Sequence, residues 1–190
     1  MGIKVFDSKY QMPIYGIYGF VRFADEIVDT FHDYPKRELL DDFKTQTFDA
    51  IEKGISLNPV LNSFQAAVRK YDIDHAHIHT FLRSMEMDLE QSEYDRQGYE
   101  QYILGSAEVV GLMCLHVFVD GDKAKYDELK EPAMRLGAAF QKINFLRDLH
   151  ADYLDLGRSY FPGVEMKEFD DQTKRRLENE IDRDFAAGLE

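Results

Sequence analysis

The sequence contains no tryptophan, only five prolines and a single cysteine. The lone Cys114 excludes a disulfide bond within the chain and is typical of a protein in a reducing cytoplasm. A secretory signal is also missing, because Asp7 follows Lys4 too closely to leave room for an apolar segment. We therefore expect a cytoplasmic location.

Apolar stretches long enough to span a bilayer are missing as well. In the most apolar candidate, Arg22 and Asp25 interrupt the run before it reaches the length of a membrane-spanning helix. We therefore expect no transmembrane segment in these residues.

Basic residues are few. The chain has 23 Lys and Arg side chains against 36 Asp and Glu side chains, a net charge of −13. This balance excludes the basic surface that binding to nucleic acid requires. It also means that an anion such as a diphosphate would bind only where cations mediate the contact. Taken alone, the charge is better explained by solubility.

The residues that are present favour helices. Apolar side chains make up 44% of the chain, enough for a core, and no stretch alternates between apolar and polar residues as strands do. The pattern predicts an all-α fold with residues 1–190 in one domain. Both ends look abrupt, so we expect a fragment of a longer chain. Helices are predicted over Pro13–Phe31, Lys36–Lys53, Pro59–Lys70, Asp74–Glu90, Gln97–Val119 and Asp171–Ala187, with a short helix before Pro132 and a long one after it to about Leu154.

Two helical segments each carry Asp-x-x-x-Asp, with Asp25 and Asp29 in the first and Asp148 and Asp152 in the second. Residues four apart share one face of a helix, so each pair sets two like charges side by side at a cost of a few tenths of a kcal/mol. Selection for helix stability alone would avoid this arrangement. Two such pairs facing each other would form a site for hard divalent cations.

Each pair extends into a longer polar stripe. In the first, Tyr18 and Arg22 precede the two aspartates at helical spacing. A lined cavity and a solvated face, on which Arg22 pairs with Asp25 or Glu26, both explain that stripe.

In the second stripe, Gln141 and Asn144 precede Asp148 and Asp152 at helical spacing. Asn144 and the two aspartates offer three oxygens along one ridge, which suits Mg²⁺ that completes its octahedron with water and phosphate. Arg147 lies beside the ridge, where its planar fork suits phosphate oxygens.

These motifs resemble those of the squalene/phytoene synthase family. Residues 18–29 look like the family's first aspartate-rich motif, and residues 141–152 look like its second. Residues 157–162 are similar to the Arg-x-Tyr-x-Pro tail that follows it. Between the two motifs, residues 102–111 are similar to the Tyr-rich Val-Ala-Gly-x-Val-Gly segment. The resemblance covers the chain from about Pro13 onward.

The resemblance implies an isoprenoid synthase helical bundle with a central cavity, incomplete here at both ends. The implied Mg²⁺ ligands, with Mn²⁺ as a substitute, are Asp25, Asp29, Asn144, Asp148 and Asp152. The residues implied to line the diphosphate or cation region, as catalytic or substrate-binding groups, are Tyr18, Arg22, Tyr102, Gln141, Arg147, Arg158 and Tyr160. The chain departs from the family pattern at Glu26, Glu108 and Ala151, where Asp, Gly and Glu are usual.

The implied activity is that of a prenyltransferase that joins two geranylgeranyl diphosphates head to head to give phytoene. Squalene or dehydrosqualene synthesis from farnesyl diphosphate is the alternative, and a non-catalytic scaffold is a third hypothesis. The apolar prenyl chains of the implied substrates suggest peripheral contact with the inner membrane face. The sequence carries no signal for an oligomeric state.

Two further features carry weaker signals. His75, His77 and His79 alternate near a helix start, but a spacing of two residues does not align metal ligands on a helix. Asp88 lies in a segment that resembles a family segment, and we assign it no chemistry.

Overall fold

The computed structural model describes residues 2–90, 94–151, 160–164 and 169–189. Every regular element within these ranges is helical and none of them is a strand, which confirms the all-α prediction. A single 3₁₀ turn, Gly2–Val5, precedes the first helix. The helices are α1 (Ser8–Asp29), α2 (Lys36–Lys53), α3 (Pro59–Tyr71), α4 (His75–Glu90), α5 (Arg96–Ile103), α6 (Val109–Val119), α7 (Lys123–Ala151) and α8 (Asp171–Ala187).

Helix α1 begins five residues earlier than predicted, at Ser8 instead of Pro13. Asp7 caps it, because one carboxylate oxygen accepts a hydrogen bond from the backbone N–H of Lys9 over 3.0 Å. Pro13 lies inside the helix, where it removes one backbone hydrogen bond without ending the helix. The cap at Asp7 therefore sets the start of α1.

Helix α7 corrects a second boundary, since it runs unbroken through Pro132. The prediction of a short helix before this proline and a separate long one after it was wrong. The helix packs against α6, α8 and a π-helical turn. We attribute its continuity to these contacts, which offset the lost backbone hydrogen bond at the proline.

The π-helical turn covers Leu104–Glu108 and joins α5 to α6. Two glycines allow neighbouring helices to approach it closely. A Cβ atom on Gly105 would lie 2.6 Å from the Cβ atom of Ser84 in α4. A Cβ atom on Gly137 of α7 would lie 2.9 Å from the carbonyl oxygen of Ala107. The turn is therefore clamped between α4 and α7.

The run Arg96–Val119, which contains this turn, corrects the expectation that no apolar stretch reaches membrane-spanning length. By length and composition alone it is apolar enough to cross a bilayer, with a mean hydropathy of 1.8. Within the fold, its α6 part packs against α1, α4 and α7. A helix that is apolar on all sides is also typical of the core of a helical protein.

The core consists of two clusters of buried side chains. The first is centred on Phe20 of α1, whose ring stacks on Phe64 of α3 with the centroids 3.9 Å apart. The second lies between α5 and α7 and includes Tyr102, Phe145 and Tyr160. Each of the two polar stripes therefore lies on a helix whose apolar side is fixed in a core cluster.

Candidate active site

The α1 stripe is organised by Arg22, which reaches along the helix to two acids. Its Nη1 atom donates to Asp25 Oδ2 over 2.8 Å, and its Nη2 atom contacts Glu26. Thr30 Oγ1 donates to the other oxygen of Glu26 over 2.6 Å. These are the ion pairs expected of a solvated face, yet about two thirds of the Asp25 side chain is covered. This stripe, called the α1 ridge below, is therefore partly desolvated. The corresponding stripe of Gln141, Asn144, Asp148 and Asp152 is called the α7 ridge.

Burial and repulsion raise the pKa of Asp25 to about 6. Partial burial is the larger cause, the charge of Asp29 adds to it, and Arg22 opposes both. Tyr18, one turn before Arg22, is largely exposed on the same side of the helix. A carboxylate whose ionised form is disfavoured in this way would be stabilised by a bound cation.

On α7, hydrogen bonds tie the second stripe to the π-helical turn. Gln141 Nε2 donates to Ser106 Oγ over 3.2 Å, and Asn144 Nδ2 contacts Gln141 Oε1 at 3.4 Å. The Asn144 side chain is exposed. The structure therefore brings Gln141 and Asn144 together, with Gln141 held at the end nearer the core.

Arg147 and Asp148 form a two-pronged ion pair at the next turn of the ridge. Arg147 Nε donates to Asp148 Oδ1 over 2.7 Å, and Nη2 contacts the second oxygen. The hydrogen bond and charge of Arg147 lower the pKa of Asp148 despite some burial. Asp148 is therefore ionised at neutral pH, as a ligand for a hard cation must be.

The predicted site residues Asp152 and Arg158 lie outside the described residues, as does the side chain of Ala151. Helices α1 and α7 both pack against α6. In the ranges that the structure describes, no three His, Cys, Asp or Glu side chains form a group that could hold a metal ion. Magnesium sites that bind phosphates use only one or two carboxylates per ion. The carboxylates of Asp25 and Asp29 on α1, and the side-chain oxygens of Asn144 and Asp148 on α7, are the kinds of donor that this mode of binding uses.

Tyr102 and Tyr160 lie together in the second core cluster. Both side chains are at least nine-tenths buried, and both hydroxyl groups donate to the carboxylate of Asp88, over 2.7 Å and 3.3 Å respectively. Tyr94 donates to the same carboxylate over 3.0 Å. Burial, followed by the nearby Asp88 charge, raises the pKa of Tyr102 well above 10. Tyr102 therefore keeps its proton.

The aspartate at the centre of this cluster is a residue to which the sequence pattern assigned no chemistry. Asp88 is a buried acid at the end of α4, and its tyrosine partners follow it by 6, 14 and 72 residues. No short motif links positions with such spacing. The available signal was its place in a segment that resembles a family segment.

The three histidines near the start of α4 do not converge. His77 Nε2 lies 2.9 Å from the hydroxyl oxygen of Tyr126, whereas His79 stacks on Phe48 with the ring centroids 4.2 Å apart. His75 lies 6.4 Å from the Phe48 ring. The structure therefore provides no support for a histidine metal site there.

The whole chain, residues 1–190, matches the squalene/phytoene synthase family. It belongs to that family. The family consists of prenyltransferase-type synthases. The motifs at residues 18–29, 102–111 and 141–162 indicate the same family.

Relatives within the squalene/phytoene synthase family include bacterial and plant proteins. The chain is 27% identical to a 4,4'-diapophytoene synthase of Staphylococcus haemolyticus over 180 residues, which cover 93% of this chain and 60% of the relative. It is 27% identical to a phytoene synthase of Mycobacterium tuberculosis over 87% of this chain and 53% of that protein. It is 29% identical to phytoene synthase 1 of Arabidopsis thaliana over 87% of this chain and 40% of that protein. The chain thus spans at most 60% of the length of these relatives.

Solved structures agree with the isoprenoid synthase fold. A dehydrosqualene synthase crystallised with a ligand superposes with a TM-score of 0.83 at 22% identity, covering 98% of this chain and 69% of that one. A squalene synthase from Alicyclobacillus acidocaldarius superposes with a TM-score of 0.79 at 21% identity, covering 93% and 70%. The predicted fold class is thereby confirmed.

One departure from the squalene/phytoene synthase pattern, Glu108, has a structural explanation. Its side chain is partly buried in the π-helical turn, and burial raises its pKa. The nearby charges of Arg135 and Lys142 act in the opposite direction and stabilise the carboxylate. Both cations also bind Asp184 of α8, at 3.2 Å and 2.7 Å. Glu108 therefore lies close enough to feel the charges of an ionic network that joins α7 to α8.

Proposed function

We propose that the complete natural polypeptide joins two prenyl diphosphates head to head, with two geranylgeranyl diphosphates giving phytoene as the first candidate. The observation that carries this proposal is the pair of acidic ridges on α1 and α7, each fixed on the core and each carrying an arginine. Diphosphates bound through cations are the ligands that such ridges suit, particularly in a protein of net charge −13.

Asp25 and Asp29 would hold Mg²⁺ at the first ridge, and Asn144, Asp148 and Asp152 would hold it at the second, with Mn²⁺ as a substitute. When bound, the metal supplies positive charge that stabilises the diphosphate as it leaves. The raised pKa of Asp25 supports this assignment, because a cation would relieve the repulsion between the two carboxylates. Asp148 supports it too, since its lowered pKa keeps it ionised.

The arginines have a second role in this proposal. Arg22 and Arg147 now contact the same acids that would bind metal, at Asp25 and Asp148. When cations occupy those carboxylates, each guanidinium can turn its fork toward phosphate oxygens. Arg158 and Gln141 would add further donors. Tyr18, which is exposed on the α1 ridge, would lie at the edge of this region.

Ionisation of the first substrate leaves an allylic cation and a diphosphate. The double bond of the second prenyl chain attacks that cation, and loss of a proton closes a cyclopropylcarbinyl diphosphate. A second ionisation, rearrangement and proton loss then give the C1–C1′ linked hydrocarbon. These cations must be kept from water, and aromatic faces such as that of Tyr102 can stabilise them by about 0.5–2 kcal/mol per contact.

A second candidate is squalene or dehydrosqualene synthesis from two farnesyl diphosphates. The name of one relative, the 4,4'-diapophytoene synthase, and the names of both superposed structures support it. The choice between the C15 and C20 substrates depends on the depth of the pocket, and that depth is a property of the whole protein. A cytoplasmic location with peripheral contact at the inner membrane face would give the protein access to the apolar substrates of either reaction.

Product analysis tests the proposal. The complete polypeptide is incubated with Mg²⁺ and either geranylgeranyl or farnesyl diphosphate, with and without NADPH, and extracted hydrocarbons are identified by mass spectrometry. A coupled hydrocarbon from the C20 substrate supports the first candidate, and one from the C15 substrate supports the second. Failure to form any coupled product from either substrate would overturn the enzyme proposal and favour the scaffold hypothesis.

A further inference from the structure

Asp88 accepts hydrogen bonds from tyrosines in three separate segments. Tyr102 of α5 donates to Oδ2 over 2.7 Å, while Tyr94, just before α5, and Tyr160, beyond α7, donate to Oδ1 over 3.0 Å and 3.3 Å. The aspartate is only 7% exposed. Hydrogen bonds to a charged acceptor in a buried setting are strong and directional. One carboxylate therefore fixes the directions of three hydroxyl groups.

The Asp88 cluster is joined to the acidic ridge of α7 by ring stacking. The Tyr160 ring stacks on Phe145 with the centroids 4.2 Å apart and the planes 8° apart. The Tyr102 ring contacts the same phenylalanine at 5.8 Å. Phe145 follows Asn144 directly in the sequence and precedes Asp148 by three residues. A shift of Tyr160 or Tyr102 would therefore be transmitted to the part of α7 that carries the ridge.

We propose that Asp88 is a positioning residue for the coupling reaction. It holds Tyr102 in the orientation that the reaction needs, and it fixes the position of the α7 ridge through Tyr160 and Phe145. This inference rests on the proposed function, because it assigns Asp88 a part in that reaction. Asp88 acts through the tyrosines and touches no reacting atom. Its removal should therefore affect turnover far more than helix content.

Matched controls separate positioning from simple loss of a buried acid. Glu86 is on the same helix and equally buried, with 7% exposure, but it pairs with Lys44 of α2 and Arg83 of α4. Glu86→Gln is therefore the control for Asp88→Asn. Tyr99 is a buried tyrosine of α5 whose hydroxyl has no hydrogen-bond partner within the described ranges. Tyr99→Phe is the control for Tyr102→Phe.

Turnover is measured first, in the complete polypeptide with Mg²⁺ and the prenyl diphosphate that it couples. We expect Asp88→Asn and Tyr102→Phe each to lower kcat about 100-fold, the size of effect that misplaced groups produce, while both controls stay near wild type. The double variant should lose no more than the worse single variant, because both changes break one unit. Multiplied losses in the double variant, or near-normal kcat in Asp88→Asn, would overturn the inference.

A binding measurement keeps the inference testable apart from turnover. Calorimetry with inorganic diphosphate and Mg²⁺ should show about tenfold weaker binding for Asp88→Asn than for Glu86→Gln, as expected when support for a ligand shell is removed. If Asp88→Asn does not fold, Tyr160→Phe replaces it, because it keeps the ring and removes only one hydroxyl. If Asp88→Asn, or Tyr160→Phe in its place, binds diphosphate as tightly as Glu86→Gln does, the positioning role is contradicted. If the wild-type polypeptide binds diphosphate but forms no product, that result would instead count against the proposed reaction alone.

Discussion

Asp25 and Asp29 lie one turn apart on α1, and the charge of Asp29 adds to the effect of burial on the Asp25 carboxyl. Together they raise its pKa from 3.8 to about 6, against the opposing charge of Arg22. The protein therefore keeps two repelling acids on a partly covered surface, where neutral residues would be more stable. Such a cost is typical of a functional site.

The first prediction concerns the pH dependence of stability. Because the folded protein binds a proton at Asp25 more tightly than the unfolded chain does, this residue makes stability fall as pH rises from about 4 to 6. Asp25→Asn should therefore raise the free energy of unfolding at about pH 8, by about 1 kcal/mol after allowance for solvent screening. The gain should disappear near pH 3.

Urea unfolding at the two pH values checks this, with the exposed Asp41→Asn of α2 as the control. An Asp25→Asn variant that is no more stable than the control at high pH would contradict the strain assigned to the α1 pair. The same variant should lose coupling activity, so that stability and function move in opposite directions.

The second prediction concerns the α7 ridge. Asp148→Asn should lower turnover about 1,000-fold, because in the proposed site it removes a charged ligand of the cation that binds diphosphate, while helix content and Tm stay near wild type. Asp127→Asn on the same helix, which breaks only an exposed pair with Lys123, should leave turnover unchanged. Steady-state kinetics and circular dichroism measure both. Normal activity in the Asp148 variant would remove the metal assignment.

The third prediction compares two buried tyrosines of α5. Tyr102→Phe removes a hydroxyl that donates to a buried carboxylate, which should lower the free energy of unfolding by about 2 kcal/mol. Tyr99→Phe removes a buried hydroxyl that has no partner in the described part of the chain, so stability should rise by about 1 kcal/mol. The denaturant midpoints of the two variants are compared. Equal losses of unfolding free energy would contradict the prediction, because they would mean that the two hydroxyl groups have similar surroundings.

The fourth prediction concerns the close approach of α4 to the π-helical turn. Gly105→Ala would place a Cβ atom 2.6 Å from that of Ser84, so it should cost about 1–3 kcal/mol of stability. Gly19→Ala, in α1, meets only Val60 at 3.5 Å and should stabilise the helix by up to about 1 kcal/mol. Thermal unfolding distinguishes them. A harmless Gly105→Ala would show that the turn is packed less tightly.

Much of the fold could be predicted because periodicity and local caps determine most helices. The bounds of α2 and α8 match the predictions, and those of α3 and α4 differ by one residue. The largest boundary errors came where a proline was given too much weight. In addition, α1 ends at Asp29 instead of Phe31, and a π-helical turn interrupts the predicted helix Gln97–Val119. At Pro13 the cap provided by Asp7 was overlooked, and at Pro132 packing of α7 outweighed the lost hydrogen bond.

The candidate site divides in a similar way. The stripes on α1 and α7 follow helical spacing, so sequence alone placed Arg22 beside Asp25 and Arg147 beside Asp148. The Asp88 cluster depends on contacts between segments up to 72 residues apart, which no local pattern encodes. The burial of Tyr102 and Tyr160 against that carboxylate is likewise a tertiary property. Sequence reasoning identified Tyr102 and Tyr160 through family motifs, did not single out Tyr94, and assigned no chemistry to the acid that joins them.

In the proposed reaction, the two ridges hold cations that allow prenyl diphosphates to ionise and couple. The most direct measurement follows labelled prenyl diphosphate through the complete polypeptide with Mg²⁺, with excess EDTA, and after Mg²⁺ is restored. We predict one coupled hydrocarbon and two released diphosphates for every two substrates with Mg²⁺, none with EDTA, and recovery on restoration. Coupling that continues undiminished in EDTA, or no coupling of any substrate with Mg²⁺ present, would contradict the account.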